Sequence, residues 1–269
     1  MERLLITGAA GGLGSMVRRE LTHLAPKIRL SDQVDLGVAA DHEELVICNL
    51  TDKDAVDELV AGCDGIVHFG GRSIEDTWEI IRDSNMEGVF NLYEAARKHG
   101  HPRIVFASSN HVTGYHPQTE KLDALSPTRP DSLYAVSKVF GESLARLYYD
   151  KFGQETASIR IGSCLPEPLT HRMLATWMSP GDMVRLINCI FKAPKLGCPI
   201  IYGASDNDAS WWSNGLVSYL GWRPKDNSET FREKLDATLP QPAADASDVL
   251  WQGGVFTEHG IETTPTKGP

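Results

Sequence analysis

Short apolar runs alternate with segments of helical periodicity over the first 160 residues of the chain. Six runs predict strands, at Arg3–Thr7, Ile28–Leu30, Leu45–Cys48, Gly65–Phe69, Ile104–Ala107 and Ala157–Ile161. The helical segments begin near Gly14, Asp52, Asp76, Ser132 and Ser179. Buried strands that alternate with helices form a parallel sheet covered on both faces, because right-handed crossovers join them. The pattern predicts an α/β fold with a doubly wound parallel sheet, in which Thr51 is expected to cap the second helix.

The pattern changes after Ile161, where prolines interrupt short helical pieces. We interpret residues 1–165 as one domain. Residues 166–269 are expected to be a small C-terminal region that covers the substrate, packs on the first domain and does not fold independently. Trp211 and Trp212 favour core or subunit contacts over a sugar platform, and the tail after Leu239 is expected to be irregular.

Composition narrows the classes of protein. A net charge of -10 in 269 residues argues against nucleic acid as a partner. Runs of about 20 apolar residues are missing, so no membrane span is expected. The five cysteines are scattered without CxxC spacing, which predicts neither zinc nor disulfides and fits a reducing cytoplasm. The first strand begins at residue 3, so no signal peptide is expected.

A glycine-rich turn follows the first predicted strand. Residues 7–14 read Thr-Gly-Ala-Ala-Gly-Gly-Leu-Gly, with GxxGxxG spacing. Gly8 permits a tight turn, Gly11 admits a pyrophosphate to the backbone, and Gly14 lets helix and strand pack closely. The helix that follows would face the phosphates with free N–H groups. This arrangement predicts a Rossmann-type dinucleotide site, although a glycine cluster by itself also fits an ordinary loop.

Asp32 ends the second predicted strand, about 20 residues after the glycines. A carboxylate there accepts hydrogen bonds from the adenosine ribose 2′-hydroxyl and repels a 2′-phosphate. Asp32 therefore favours NAD over NADP as the cofactor, with a solvated turn acid as the alternative interpretation.

A tyrosine and a lysine lie four residues apart, at Tyr134 and Lys138, and therefore share one helix face. A cation beside a phenol is expected to lower the phenol pKa, so that Tyr134 can accept a proton from an alcohol. Ser109 follows the strand at Ile104–Ala107, at the sheet edge where doubly wound folds place their sites. We therefore expect Ser109 to bond the reacting oxygen beside Tyr134.

These motifs, together with residues 85–88 (Asn-Met-Glu-Gly), resemble the extended short-chain dehydrogenase/reductase family across residues 1–165. A closer likeness covers nearly the whole chain and is to the uronate dehydrogenases of that family. It is carried by residues 68–71, 107–111, 160–164, 166–168, 196–199, 203–205 and 211–212.

The resemblance implies oxidation of D-galacturonate or D-glucuronate at C1 by NAD, giving an aldarolactone, with Ser109, Tyr134 and Lys138 as catalytic residues. It implies that Asn85 supports the lysine through a water. Asn49 and Arg72 depart from the pattern, since the family often has Asp and an apolar residue there. The implied cofactor-binding residues are Gly8, Gly11, Gly12, Leu13, Asp32, Asn49, Leu50, Phe69, Gly70, Gly71, Lys138 and Cys164.

A uronate needs one cation for its carboxylate and several polar groups for its hydroxyls. Arg172 offers a planar fork suited to a carboxylate, although a surface arginine would read the same way in the sequence. The expected substrate-binding residues are Ser73, Ser109, Asn110, His111, Tyr134, Ser163 and Arg172.

Two other functions stay open at this point. A nucleotide-sugar epimerase or dehydratase shares the Ser–Tyr–Lys group, but it generally has a larger C-terminal lobe, and dehydratases need acids where Asn110 and His111 stand. A non-catalytic NAD-sensing regulator needs the cofactor site without the base. Family members often pair through helices that flank the Tyr–Lys segment, so a homo-oligomer is expected.

Overall fold

The computed structural model describes residues 1–266. A seven-stranded parallel sheet, in the order β3-β2-β1-β4-β5-β6-β9, forms its centre. A two-stranded parallel sheet of β7 and β8 lies apart from it. The strands are β1 (Arg3–Thr7), β2 (Lys27–Asp32), β3 (Glu43–Ile47), β4 (Gly65–His68), β5 (Arg103–Ser109), β6 (Thr156–Ile161), β7 (Ser163–Cys164), β8 (Trp177–Met178) and β9 (Ile200–Gly203).

The α-helices are α1 (Gly12–Val17), α2 (Lys53–Val60), α3 (Trp78–Ile81), α4 (Gly88–Lys98), α5 (Leu133–Phe152), α6 (Met173–Thr176), α7 (Pro180–Lys192), α8 (Arg232–Thr238) and α9 (Ser247–Leu250). A π-helical turn at Arg82–Glu87 joins α3 to α4. The 3-10 turns are Asn110–Thr113, Gly215–Leu220, Ser228–Phe231 and Gly254–Glu258.

Each face of the main sheet buries its own apolar core, because successive side chains of a strand point to opposite faces. Leu4 and Ile6 of β1 belong to the core that includes residues of α7, whereas Leu5 belongs to the core that includes residues of α2, α4 and α5. Leu4, Leu5 and Ile6 are fully buried, although they point to both faces. This explains why the strands read as continuous apolar runs rather than as alternating patterns.

Helix α5 lies unusually close to the sheet. A Cβ atom on Gly141 would stand 2.2 Å from Cζ of Phe106 on β5, so only glycine fits at this crossing. The helix begins where the Ser132 hydroxyl accepts a hydrogen bond from the Ala135 N–H at 3.0 Å, and it ends at Gly153, which has a left-handed φ of 72°. These contacts fix the face of α5 that carries Tyr134 and Lys138.

All six predicted strands exist, and the doubly wound parallel sheet is confirmed. The sequence prediction omitted β9, whose four residues follow a proline-rich segment. The predicted cap of α2 is wrong, because Asp52 rather than Thr51 accepts from the Ala55 N–H, at 3.1 Å. Strand β9 and α7 come from beyond residue 165 and pack on the main sheet, so the domain boundary there stays a prediction.

The tail after Leu239 is less irregular than expected. It contains α9 and the 3-10 turn at Gly254–Glu258, and its backbone pairs with the loop at residues 114–118. Within residues 1–266, no helix is long and apolar enough to cross a membrane. In the same part of the chain, no group of three or more His, Cys, Asp or Glu side chains is arranged to hold a metal ion.

Candidate active site

The candidate catalytic and binding segments meet at one edge of the main sheet. Strands β1, β4, β5 and β6 are consecutive neighbours, so their carboxyl ends lie side by side. The glycine turn follows β1, residues 69–71 follow β4, Ser109 ends β5, and residues 162–164 follow β6. The chain order reverses between β1 and β4, which is where open α/β sheets bind their ligands.

The glycine turn forms a cradle that side chains would fill. Gly8 has a φ of 67°, and a Cβ atom there would stand 2.6 Å from the carbonyl carbon of Phe69. A Cβ on Gly14 would stand 2.1 Å from the carbonyl oxygen of Gly8. Helix α1 begins at Gly12, so the N–H groups of its first turn lack partners within the helix. The turn therefore fits a pyrophosphate held by backbone N–H groups.

Asp32 lies beside this cradle, because its carboxylate accepts from the Ala10 N–H at 3.0 Å and from the Gln33 N–H at 2.8 Å. Asn49, at the end of the next strand, is exposed, and its Oδ1 accepts from the Thr51 N–H at 3.1 Å. Leu50 packs against Gly70, where a Cβ atom would meet it at 2.8 Å. These residues form a groove with an acid at one end, which fits an adenosine ribose.

The structure brings Tyr134, Ser109 and Lys138 together at the end of β5. Both Tyr134 and Ser109 are buried, and a hydrogen bond from Ser109 lowers the pKa of Tyr134. Burial has the larger effect and raises the pKa of Tyr134 to about 12. The lowering of the Tyr134 pKa expected from Lys138, whose ammonium lies 5.6 Å from the centroid of the phenol ring, is smaller than this effect of burial. Burial also lowers the pKa of Lys138, to about 8.

A buried carboxylate that the sequence prediction missed holds the first turn of α5. The Oε1 atom of Glu75 accepts from the Leu133 N–H at 3.0 Å, and Oε2 accepts from the Tyr134 N–H at 2.8 Å. Glu75 is 3% exposed, so these bonds compete little with water. A carboxylate at a helix N-terminus satisfies free N–H groups and interacts favourably with the helix dipole. Glu75 therefore fixes the backbone of Tyr134.

Arg172 is half-buried rather than solvent-facing. Its Nε donates to the carbonyl oxygen of Gln252 at 2.9 Å, and its Nη2 reaches the same oxygen. With the Asn110 amide oriented to satisfy both of its polar atoms, Oδ1 accepts from Arg172 Nη2 at 3.0 Å and Nδ2 donates to the Ile161 carbonyl at 3.0 Å. Burial lowers the pKa of Arg172 to about 10, so the guanidinium stays charged at neutral pH. A half-buried cation with one side held by the protein suits an anionic ligand.

His111 is held on one side by an acid and on the other by an aromatic ring. Its Nδ1 lies 2.7 Å from Oδ2 of Asp131, and its ring stacks on Phe256 with centroids 3.9 Å apart. The Tyr134 ring is 6.2 Å from it. Burial lowers the pKa of His111, against the raising effect of Asp131. The sequence prediction named His111 but neither Asp131 nor Phe256.

The other predicted site residues occupy the same edge with different partners. Ser163 shares a hydrogen bond of 3.0 Å with Thr176, and burial raises the pKa of the Cys164 thiol to about 12. Ser73 is exposed. A Cβ on Gly71, whose φ is 127°, would stand 2.6 Å from Oδ1 of Asn85, so this glycine keeps its loop against the π-helical turn.

Asn85 makes direct contacts with a loop and with α5, and the support of Lys138 through a water that the resemblance implies stays a prediction. Its amide nitrogen donates to the carbonyl of Arg72 at 2.9 Å and to the hydroxyl of Ser137 at 3.0 Å. Its oxygen accepts from the Arg72 N–H at 2.6 Å. The amide therefore ties the loop after β4 to α5 directly.

Arg72, the second departure from the family pattern, contacts the end of the described chain. Its Nε lies 2.7 Å from Oδ2 of the buried Asp76, and its Nη2 donates to Oγ1 of Thr266 at 2.8 Å. Asp76 also accepts from the Thr266 N–H at 3.1 Å. This contact holds the C-terminal segment against the loop that precedes α3.

Trp212 belongs to the packing of the C-terminal region. Its ring stacks on Tyr202 with centroids 5.0 Å apart, and its indole N–H donates to Oε1 of Gln252 at 2.8 Å. Gln252 is fully buried, and its backbone carbonyl is the oxygen that holds Arg172. Trp212 thus makes packing contacts and is linked to Arg172 through Gln252.

Comparison with known proteins agrees with this geometry. Residues 4–173 match the NAD dependent epimerase/dehydratase family. The chain is 56% identical to the uronate dehydrogenase of Agrobacterium fabrum over 97% of this chain and 98% of that one. It is 52% identical to the uronate dehydrogenase of Pseudomonas putida over 96% of each.

Solved structures give the same picture. The uronate dehydrogenase of Agrobacterium tumefaciens, a variant complexed with NAD, superposes with a TM-score of 0.96 at 56% identity, covering 97% of this chain and 98% of that one. The glucuronic acid dehydrogenase of Chromohalobacter salexigens superposes with a TM-score of 0.95 at 54% identity, with coverage of 97% and 98%.

Proposed function

Because the chain belongs to the NAD dependent epimerase/dehydratase family, we propose that it oxidises D-galacturonate or D-glucuronate at C1 with NAD, giving the aldarolactone. The observation that carries this proposal is a half-buried, charged Arg172 at the same sheet edge as Ser109, Tyr134 and Lys138. A redox alcohol site and an anion site then lie within one pocket. The NAD-bound relative and the glycine cradle beside Asp32 support NAD as the cofactor.

Tyr134 accepts the proton of the C1 hydroxyl, and the Ser109 hydroxyl orients that oxygen. NAD, when bound, supplies the acceptor for the hydride that leaves C1. Lys138 contributes a positive charge near the phenol, which favours its deprotonated form as the proton transfers. A cyclic hemiacetal oxidised at C1 is already a lactone, so no water attack and no second base are required.

Arg172 binds the C6 carboxylate of the substrate. The Gln252 carbonyl and Asn110 fix its Nε and Nη2, so the guanidinium is oriented before the substrate arrives. Ordering the cation in advance reduces the entropy lost on binding. Ser73, Asn110, His111 and Ser163 complete the substrate pocket as hydroxyl partners, and Phe69, Gly70, Gly71 and Cys164 contact the cofactor.

The test is NADH formation from two sets of substrate, free uronates and UDP-sugars. We expect absorbance of NADH to rise with free galacturonate or glucuronate and to stay at baseline with UDP-galactose or UDP-glucuronate. Conversion of UDP-sugars alone, followed by chromatography of the sugar products because an epimerase or dehydratase returns the hydride and releases no NADH, would instead identify a nucleotide-sugar epimerase or dehydratase. NAD binding in calorimetry without turnover of any of them would identify a cofactor-sensing protein.

We propose further that the protein is a cytoplasmic homo-oligomer. Support for association comes from exposed apolar side chains on neighbouring helices, namely Trp78, Phe90, Val136 and Leu147, which are 40% to 46% exposed. Support for a reducing compartment comes from the five unpaired cysteines. Light scattering tests the first point: a particle of monomer mass would refute it, and Leu147→Lys should shift an oligomer toward that mass.

We also propose the division into a cofactor domain at residues 1–165 and a dependent C-terminal region at residues 166–269. Its support is that Arg172, Gln252 and Phe256, which complete the substrate side, all follow residue 165.

A further inference from the structure

Asp131 is buried at the centre of the substrate side of the pocket and has no place in the proton transfer described above. Its side chain has no exposed area. Oδ2 faces Nδ1 of His111 at 2.7 Å, and Oδ1 accepts from the Ser132 hydroxyl at 2.9 Å. Ser132 is the residue that caps α5. One dipeptide therefore contacts both the histidine and the helix that carries Tyr134.

Two glycines from separate segments close around this carboxylate. A Cβ atom on Gly114 would stand 1.8 Å from Oδ2 of Asp131, and one on Gly253 would stand 2.1 Å from it. The Gly253 N–H donates to the Gly114 carbonyl at 2.9 Å, which holds the two segments together. The carboxylate thus lies in a close-fitting socket with little freedom to turn away from His111.

We propose that Asp131 is a positioning residue that fixes the tautomer of His111, so that Nε2 presents a lone pair to the pocket and accepts a hydrogen bond from one substrate hydroxyl. This inference rests on the proposed oxidation of uronates. An ionised carboxylate only accepts hydrogen bonds, so the atom of His111 that faces it carries the proton. In the neutral ring the other nitrogen is then an acceptor.

The surroundings keep His111 neutral at physiological pH. Burial lowers its pKa, and the charges of Arg172 and His259 lower it further, whereas Asp131 raises it. The aromatic rings of Tyr134 and Phe256 occupy two other sides. Within residues 1–266, the side-chain hydrogen bond of His111 is made by Nδ1 and none is made by Nε2, which leaves the Nε2 lone pair for a ligand. As the pH falls through the pKa of His111, Nε2 becomes a donor and the acceptor is lost.

The first test reads the tautomer without any substrate. Ring ¹⁵N shifts of His111, assigned with His111→Gln, should show a protonated Nδ1 in the wild type and a protonated Nε2 in Asp131→Asn, because the new amide can donate to Nδ1. An Nε2-protonated ring in the wild type would overturn the proposal. Asp182→Asn is the matched control: Asp182 is also a fully buried carboxylate that accepts hydrogen bonds, but it lies in α7 and should leave the His111 shifts unchanged.

The second test uses 2-, 3- and 4-deoxygalacturonate with saturating NAD. In the wild type, one of the three should lose about 10-fold or more in kcat/KM relative to galacturonate, because it lacks the donor that His111 reads. In Asp131→Asn, kcat/KM for galacturonate should fall at least about 10-fold while the Kd for NAD stays within about 2-fold, and the penalty for that deoxy sugar should nearly vanish. If the loss of kcat/KM for that deoxy sugar is as large in Asp131→Asn as in the wild type, the role of Asp131 is refuted.

The two tests distinguish a failure of the positioning role of Asp131 from a failure of the proposed function. If the predicted tautomers are found but no uronate is oxidised, the proposed function is wrong while the positioning of His111 by Asp131 stands. If uronates are oxidised but His111 has the same tautomer in the wild type and in Asp131→Asn, the proposed function stands and the positioning role of Asp131 is wrong. His111→Gln keeps an acceptor that does not titrate, so its kcat/KM should lack the acid limb seen in the wild type.

Discussion

At the scale of single residues, burial opposes ionisation at both proton-handling groups. It raises the pKa of Tyr134 to about 12 and lowers that of Lys138 to about 8. The phenolate fraction of Tyr134 therefore rises about tenfold for each pH unit below that pKa. The lysine loses its proton above pH 8, so the charge that favours the phenolate fades there. Oxidation should consequently increase from neutral to mildly alkaline pH and then level off.

Tyr134→Phe removes the proton acceptor and keeps the ring that packs beside His111. We expect kcat to fall by about 10² or more, which is the range for loss of a general base, with little change in NAD affinity. Stopped-flow NADH formation and calorimetry measure the two quantities. A variant that kept more than about a tenth of the wild-type kcat would exclude Tyr134 as the base.

Lys138→Met should lower the activity and raise the stability of the protein. The folded pKa of Lys138 lies below the ordinary value of 10.5, so the charged form is disfavoured in the folded protein, and this penalty is fully present below pH 8. Removing it should raise the free energy of unfolding at pH 7 by roughly 3–4 kcal/mol, since each pKa unit corresponds to about 1.4 kcal/mol.

Urea unfolding of the wild type and Lys138→Met measures this difference, which should shrink as the pH rises from 8 to above 10.5. The exposed Lys121→Met is the control and should change stability by no more than about 0.5 kcal/mol. A loss of stability in Lys138→Met at pH 7 would contradict the burial penalty.

Arg172 separates uronates from neutral sugars, because only the uronate carboxylate uses its guanidinium. A partly desolvated, charge-assisted pair contributes roughly 2–4 kcal/mol, so kcat/KM for galactose should be about 30- to 1000-fold below that for galacturonate. Arg172→Ala should remove most of this gap by slowing the uronate reaction only. Arg172→Lys should recover part of the loss, because the charge survives without the planar geometry. Equal losses on both sugars would indicate a structural role.

The site residues that could be predicted from the sequence belong to local motifs, whereas those that were missed act through contacts between distant parts of the chain. Tyr134, Lys138 and the glycines were found because their spacing along the chain is itself the signal. Glu75 reaches α5 across 58 residues, and Arg172 reaches the Gln252 carbonyl across 80. No local pattern encodes such a contact, since it exists only after the sheet has assembled.

At the scale of elements, the position of α5 depends on one missing side chain. Gly141→Ala would place a methyl group 2.2 Å from Phe106 Cζ, so the helix and strand must separate. Overpacking of this kind costs typically about 1–3 kcal/mol, which exceeds the gain of nearly 1 kcal/mol from the higher helix propensity of alanine. We expect Gly141→Ala to lower both the unfolding free energy and kcat.

Phe106→Leu tests whether this contact is the cause. The double variant should be more stable than Gly141→Ala alone, because the smaller side chain leaves room for the methyl group. Ser143→Ala, at an exposed position of the same helix, should leave stability unchanged or slightly raised. Additive losses in the double variant would rule out a clash with Phe106.

Elements were predicted well where a long apolar run stood between turn residues, as for all strands of the first 161 residues. Strand β9 was missed because it has four residues and no helix-period segment after it. Its edge position is stabilised by tertiary contacts: the Asn214 side chain accepts from the Tyr202 N–H at 2.9 Å and donates to the Tyr202 carbonyl at 2.8 Å. A side chain twelve residues away satisfies backbone groups of this strand, and the local sequence propensity does not indicate that contact.

At the scale of the whole molecule, cofactor binding and folding are linked, because the glycine cradle and Asp32 are assembled only in the folded chain. NAD at about 100 times its Kd should raise the free energy of unfolding by about 2.7 kcal/mol. NADP at the same concentration should stabilise much less, since its 2′-phosphate meets the Asp32 carboxylate. Asp32→Ala should reduce the difference between the two cofactors.

Thermal unfolding with each cofactor measures this effect, and kcat/KM with each provides the kinetic counterpart. Equal or greater stabilisation of the wild type by NADP would refute the assignment of Asp32. Asp35→Ala, three residues further along the same loop, is a suitable control for a nearby loss of charge, and it should leave the preference intact.

The return of the C-terminal segment to the pocket has a consequence for biosynthesis. Every strand of the main sheet is outside the ribosome once residue 203 has left it, and the sheet can then begin to fold. The carbonyl that orients Arg172 belongs to Gln252, and the ring under His111 belongs to Phe256. Translation must therefore pass residue 256 before the pocket acquires its shape. A transcript cut short near residue 240 would yield a chain with the entire sheet and no working pocket.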